Sequence, residues 1–239
     1  LPKKKPTTQF EDVSFDLDLG NFNLEIDAQA TEPEIESRYV KPRYKPEIPE
    51  QLLAYKKAQD LADDVRITPG SRHYVVVDGT FYFGDFIEAL IVGNDWHIPE
   101  MTVSTLSMNE NNVDSLANLL EGGYIDRLNL IISAYFYSHE RGALVKYIYD
   151  RLDQGDRFQL AAASSHCKLA FFQTDEKLKI VMHGSANLRS SSNIEQVMIE
   201  ENADLYAFNK DIHDRIIDTY KTINHQVRRK SLWQAVAKI

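Results

Sequence analysis

Three short apolar runs separated by amphipathic stretches constrain this chain more than any other feature. They are EMTVSTLSM (100–108), DRLNLIISAYF (126–136) and RFQLAAAS (157–164). The second is nearly continuous in apolar residues, the pattern of a strand buried on both faces. Around them lie GDFIEALIVGN (84–94), NNVDSLANLLEGG (111–123) and ERGALVKYIYDRLDQGD (140–156). The last puts Leu144, Ile148 and Leu152 on one helical face, and the middle one stops at Gly122-Gly123, a helix terminator. Strand runs alternating with helical runs predict an α/β domain. A hairpin over 166–183, turning near Thr174-Asp175-Glu176-Lys177, is followed by a strand in IEQVMIEE (194–201) and a long last helix in ADLYAFNKDIHDRIIDTYKTI (203–223). The expected sheet is mixed, parallel in its middle and antiparallel at the hairpin, with helices on its flanks.

The first part of the chain reads differently. Six of the eight prolines, Pro2, Pro6, Pro33, Pro42, Pro46 and Pro49, fall within it. Each fixes its own φ and biases its predecessor toward extended backbone. Residues 1–50 are therefore read as an extended or partly disordered arm, able to lie on a protein partner. PEQLLAYKKAQDLADDV (49–65) has helical spacing and predicts a linker helix within 51–70. HYVVVDGTFYF (73–83) reads as strand, Asp78-Gly79 turn and strand. The main domain is expected over 71–227, with a basic tail at 228–239 that contains Arg228-Arg229-Lys230 and Trp233.

The net charge of −9 argues against a surface that coats nucleic acid indiscriminately, yet leaves room for a locally positive site. No apolar run approaches the roughly 20 residues of a membrane span, and the opening LPKKKPTTQFED has no apolar core of the signal-peptide kind. Cys167 is the single cysteine, so an intrachain disulfide and a Cys-based metal set are excluded. A cytoplasmic protein without membrane insertion is expected. If 166–168 were strand, Cys167 would point away from its neighbours and into the core.

Chemistry concentrates in HCKLAFFQTDEKLKIVMHGSANLRSSSNIE (166–195). His166 and Lys168, two apart on a strand, would share a face, offering a nucleophile beside an anion clamp. Ser185, Asn187, Arg189 and Asn193 add hydrogen-bond donors, and Glu195 a carboxylate. The ordered set His166-x-Lys168, Gly184-Ser185-x-Asn187 and Asn193-x-Glu195 resembles the signature of the phospholipase D superfamily. By element order the resemblance covers about residues 80–225; its motif-bearing part is about 30 residues. It implies a phospholipase D-like mixed sheet and a metal-independent, cofactor-free phosphodiesterase. His166 would be the nucleophile, Lys168 and Asn187 would hold phosphate oxygens, and Glu195 would orient the imidazole. Ser185, Asn193 and Arg189 would contact substrate. The family usually has Asp five positions after the Lys; here Gln173 stands there, with Asp175 nearby in the turn.

Covalent phosphoryl transfer also needs an acid for the leaving oxygen. The family has two such motifs and this chain has one, so a homodimer that joins two copies of His166 is expected. The remaining histidines have plainer readings: His183 as a strand-end structural residue, His139 at a helix start, and His73, His97, His213 and His225 as structural or solvent-facing. The leading expectation is a nuclease that cleaves DNA or RNA through a phosphohistidine. The alternatives are a catalytically weakened relative that binds nucleic acid or serves in an assembly, and, third, a phospholipase.

Overall fold

The computed structural model describes residues 50–55, 57–78, 82–140, 143–153, 155–189 and 193–221. The expected arm before residue 50, His225 and the basic tail lie outside these residues. Eight strands form one sheet: β1 (Glu50–Tyr55), β2 (Arg72–Val77), β3 (Met101–Thr105), β4 (Leu128–Ser133), β5 (Phe158–Ala163), β6 (Leu169–Gln173), β7 (Lys179–Gly184) and β8 (Glu195–Glu201). Among the described residues six helices accompany them: α1 (Ala58–Asp64), α2 (Phe83–Gly93), α3 (Glu110–Glu121), α4 (Ala134–His139), α5 (Leu144–Leu152) and α6 (Ala203–Tyr220). The expected α/β class, a mixed sheet flanked by helices, is the architecture found.

The strand order is β1-β2-β8-β7-β6-β3-β4-β5. The parallel pairings lie at the two ends, β1 with β2, and β3 with β4 and β4 with β5. The middle is antiparallel: the hairpin pairs antiparallel as expected, but it occupies the middle of the sheet, where parallel strands were expected. The reason is connectivity: β6, β7 and β8 follow one another through short reversals and insert as a ribbon between the two parallel sets.

The apolar strand at 128–133 is buried throughout because both faces are covered. Leu130 and Ile132 join the large core beneath α1, α2, α3 and α5, while Ile131 joins Ala161, Ala163 and Ile217 beneath α6. Asn109 starts α3 with a reciprocal capping box to Asn112, and Gly123 ends it with φ of +76°. Both satisfy backbone groups that a helix terminus leaves open.

Local periodicity misled at three places. The helix expected from Pro49 is helical only in α1, since 50–55 pairs in parallel with β2. Among the described residues no second hairpin strand follows β2, residues 79–81 lying outside them: its two neighbours are β1 and β8, and Phe83 opens α2. The strand read through Phe136 stops at Ser133, whose hydroxyl accepts from the Phe136 N–H and starts α4. His139 therefore ends a helix rather than starting one.

Helix α6 carries a buried histidine. His213 is 2% exposed, donates Nδ1–H to the Asn209 carbonyl at 2.7 Å, and stacks edge-on against Phe171 of β6. Its Nε2 is buried without a partner among the described residues. His73 of β2 is also fully buried. Burial holds both imidazoles below their ordinary 6.5. The unfolded chain therefore takes up protons that the fold refuses, so stability is intact above about pH 6.5 and falls as pH drops toward the depressed values. Urea midpoints measured at pH 7.5, 6.5 and 5.5 should decline in that order. They should decline less steeply in His213→Gln, whose amide can keep the Asn209 bond without titrating. Parallel declines in parent and variant would remove His213 from the explanation.

Candidate active site

Strand directions gather the sequence motifs at one rim. The carboxyl ends of β2, β3, β4, β5 and β7 lie there together with the starts of β6 and β8. Open α/β sheets place ligands at the carboxyl ends of their parallel strands. Three segments meet at this rim: 164–168 entering β6, 184–189 leaving β7, and 193–195 entering β8.

The first segment is not a strand, which corrects the alternation argument. Residues 165–168 are irregular, and β6 begins at Leu169. Cys167 is exposed rather than buried. Its N–H donates to the Ser165 hydroxyl at 3.2 Å, and its carbonyl accepts from Ser104 at 3.4 Å. A turn-like tether to a serine hydroxyl replaces ladder bonds here. His166 and Lys168 still come together, with Lys168 Nζ 3.1 Å from His166 Nδ1 and 3.2 Å from the His166 carbonyl. An ammonium can only donate, so Nδ1 accepts, and the neutral ring in this arrangement carries its proton on Nε2.

The second segment leaves β7 as an irregular stretch at the rim. Ala186 and Leu188 point into the core. Leu188 is pinned by its N–H to Thr105 Oγ1 at 3.3 Å and by its carbonyl to the Phe83 N–H at 3.2 Å. Ser185 and Asn187 flank these two buried residues in sequence. Ser185 is exposed and Asn187 half-buried, with the Asn187 side-chain carbonyl buried and unpartnered among the described residues. Arg189 and Asn193 are exposed, and the serines between them lie outside the described residues.

Backbone bonds stitch the three motifs together. The Gly184 N–H donates to the Lys168 carbonyl at 3.3 Å, joining the first segment to the second. The Ser185 N–H donates to the Gln196 carbonyl at 2.9 Å, and the Gln196 N–H returns to Ser185 Oγ at 3.0 Å. The Ser185 hydroxyl donates to the Glu195 carboxylate. Sequence reasoning assigned Ser185 to substrate and Glu195 to His166; it missed that the two side chains bond each other. Gly184-Val197 pairing in the β7–β8 ladder places them side by side, a register no spacing rule reveals.

Gln173, standing where the resemblance leads one to expect Asp, closes β6 opposite Lys179. Five residue steps separate it from Lys168, about 16 Å at the usual rise. Asp175 lies in the turn at that same far rim and bonds the backbone of His97. The substitution therefore subtracts nothing from the rim that holds His166.

His183 takes the structural part expected of it. Its Nε2 lies 3.1 Å from Glu200 Oε1, and Arg72 Nε donates to Glu200 Oε2 at 2.9 Å. Glu200 is 4% exposed. Burial pushes its pKa up, but hydrogen bonds from His183, Arg72 and Asn202 outweigh this and leave the carboxyl below its ordinary 4.5. Among the described residues, no group of three or more His, Cys, Asp or Glu is arranged to hold a metal ion, and no helix is long and apolar enough to cross a membrane.

No family model matches the chain, and no curated protein matches it. Solved structures do. One is the phospholipase D family member Nuc from Salmonella typhimurium, with 15% identity and a TM-score of 0.44 over 63% of this chain and 96% of that one. Another is NucT from Helicobacter pylori, with 15% identity and a TM-score of 0.43 over 56% and 88%. A third is the phosphatidylserine synthase of Haemophilus influenzae, with 14% identity and a TM-score of 0.47 over 70% and 45%.

Proposed function

We propose that the chain is a metal-independent phosphodiesterase, a nuclease acting through a covalent phosphohistidine. The observation that carries this reading is the stitching of His166-x-Lys168, Gly184-Ser185-x-Asn187 and Asn193-x-Glu195 into one rim. A nucleophile, two kinds of phosphate donor and a carboxylate then share one exposed surface.

Phosphate oxygens draw the Lys168 ammonium off Nδ1. The freed, solvent-exposed ring moves its proton to Nδ1 and presents the Nε2 lone pair. Nε2 attacks phosphorus, the Nε2–P bond forms and the leaving P–O bond breaks. Lys168 and Asn187 hold the anionic oxygens, each such donor worth about 3 kcal/mol in a preorganised site. Ser185 fixes Glu195, which steadies the imidazolium; Asn193 and Arg189 contact the flanking strand. The leaving oxygen takes its proton from His166 of a second copy in a homodimer, and water then hydrolyses the P–N bond.

The full chain, mixed with end-labelled DNA or RNA in EDTA and quenched in alkali, should carry an acid-labile label on the peptide containing His166. Turnover that stops in EDTA, or a label elsewhere, would overturn this mechanism. A second reading rests on a specific observation: Lys168 occupies Nδ1 and Ser185 occupies Glu195 in the structure. A protein locked in that arrangement binds phosphate without cleaving it. It would show no label and no turnover, with nucleic-acid binding retained.

A further inference from the structure

Strand order decides what stands beside His166. The chain leaves β5 at Ala163 and enters β6 at Leu169, but β4 and β3 lie between these strands. The 164–168 segment must therefore cross the carboxyl ends of both. Three strand spacings are about 14 Å, and six residue steps reach at most about 20 Å, so the crossing is direct. The Ser104 hydroxyl bonded to the Cys167 carbonyl marks the β3 end of the crossing. His166 thus sits over the β3 and β4 ends, where α4 grows straight out of Ser133, the ladder partner of Ala163. Helix α4 also contacts β5. This path brings the start of α4 within roughly 10–15 Å of His166 along the rim.

The second residue of α4 is Tyr135, which is 71% exposed, the most exposed large hydrophobic side chain among the described residues. A lone exposed aromatic needs no explanation by itself. This one is held in place. Its ring centroid lies 3.9 Å from that of the His139 imidazole, tilted by 33°, while 71% of the side chain stays exposed. His139 is fixed in turn, with Nδ1–H donating to the Tyr135 carbonyl at 2.8 Å. The exposed ring is oriented before any ligand arrives, which lowers the cost of using it.

We propose that the Tyr135–His139 pair is a stacking platform for an unpaired nucleobase, so that the polymer taken by the neighbouring rim is single-stranded nucleic acid. The identity of the polymer rests on the phosphodiesterase reading above. Base faces inside a duplex are already stacked, so a fixed aromatic face serves only bases that are free of the stack. Lys168 and the exposed Arg189 at the same rim supply charge for the phosphates.

The test uses the full chain in EDTA with a labelled oligothymidylate, an abasic strand of equal length, and a duplex, read by anisotropy and by cleavage. The parent should bind oligothymidylate more tightly than either other strand. Tyr135→Ala should weaken oligothymidylate binding about tenfold or more, in the range measured for base–aromatic stacking, and leave the abasic strand unchanged. Tyr135→Phe should stay within about twofold of the parent, since stacking needs the ring alone. Equal parent affinity for thymidylate and abasic strands overturns the proposal. So do equal losses on both in Tyr135→Ala, tighter binding of the duplex, or no binding of any strand. Anisotropy is read before measurable cleavage, so that binding is scored separately from turnover. The expected binding pattern without cleavage would fail the phosphodiesterase reading alone, and cleavage without the pattern would fail the platform alone.

Discussion

His166→Ala is expected to cut phosphodiester cleavage by at least about 10³-fold, with the fold unchanged. Loss of a covalent nucleophile typically costs this much or more, because the remaining donors stabilise a transition state that no longer has an attacking atom. His166 is exposed and lies in an irregular segment, and its ring bonds Lys168. Its removal should therefore change stability by no more than about 0.5 kcal/mol. The measurement pairs initial rates in EDTA with urea unfolding of the same preparations. A variant that cleaves at the parent rate would end the nucleophile assignment. Lys168→Ala should fall about 10²- to 10³-fold, as expected for one donor to a developing anion.

Gly184→Ala is expected to carry the largest stability loss of any single methyl addition at this rim, about 1–3 kcal/mol. A Cβ at this position would lie 2.1 Å from the Gln196 carbonyl oxygen and 2.9 Å from Val197 Cα. Both are backbone atoms of β8 and cannot swing aside as a side-chain tip can. The β7–β8 ladder would have to part where Gly184 pairs with Val197. Two stitches go with it, Gly184 N–H to the Lys168 carbonyl and Ser185 N–H to the Gln196 carbonyl. Activity should therefore fall together with stability. Ser185→Ala provides the contrast: it releases Glu195 and should lower activity while sparing most of the stability, since Ser185 is exposed. Urea midpoints separate the two, and a Gly184→Ala protein as stable as the parent would contradict the close approach of the two strands.

The glycine shows how far a motif can be read. GSxN was legible as a pattern, and Gly184 has a plain physical reason to be Gly. That reason lies in β8, a dozen residues away in sequence. Helix α3, with its cap at Asn109 and stop at Gly123, was legible because both signals are local. The doubly buried β4 was legible because burial on two faces leaves a run without alternation. Residues 50–55 were not, since pairing with β2 overrode helical spacing. Cys167 was misplaced because the alternation rule assumes a ladder, and the chain there is crossing two strand ends instead.

By itself the sequence determined the α/β class and the residue types at the candidate site. Apolar periodicity and side-chain chemistry are properties of short segments, and they survive without any knowledge of neighbours. Only the tertiary structure decided where the antiparallel ribbon inserts, that Ser185 holds Glu195, that Gln173 sits at the opposite rim from His166, and that α4, which carries Tyr135, starts at the rim the crossing segment spans. Each of these is a meeting of residues far apart in the chain. Strand order and register bring them together, and those follow from the packing of the whole sheet rather than from any one stretch of it.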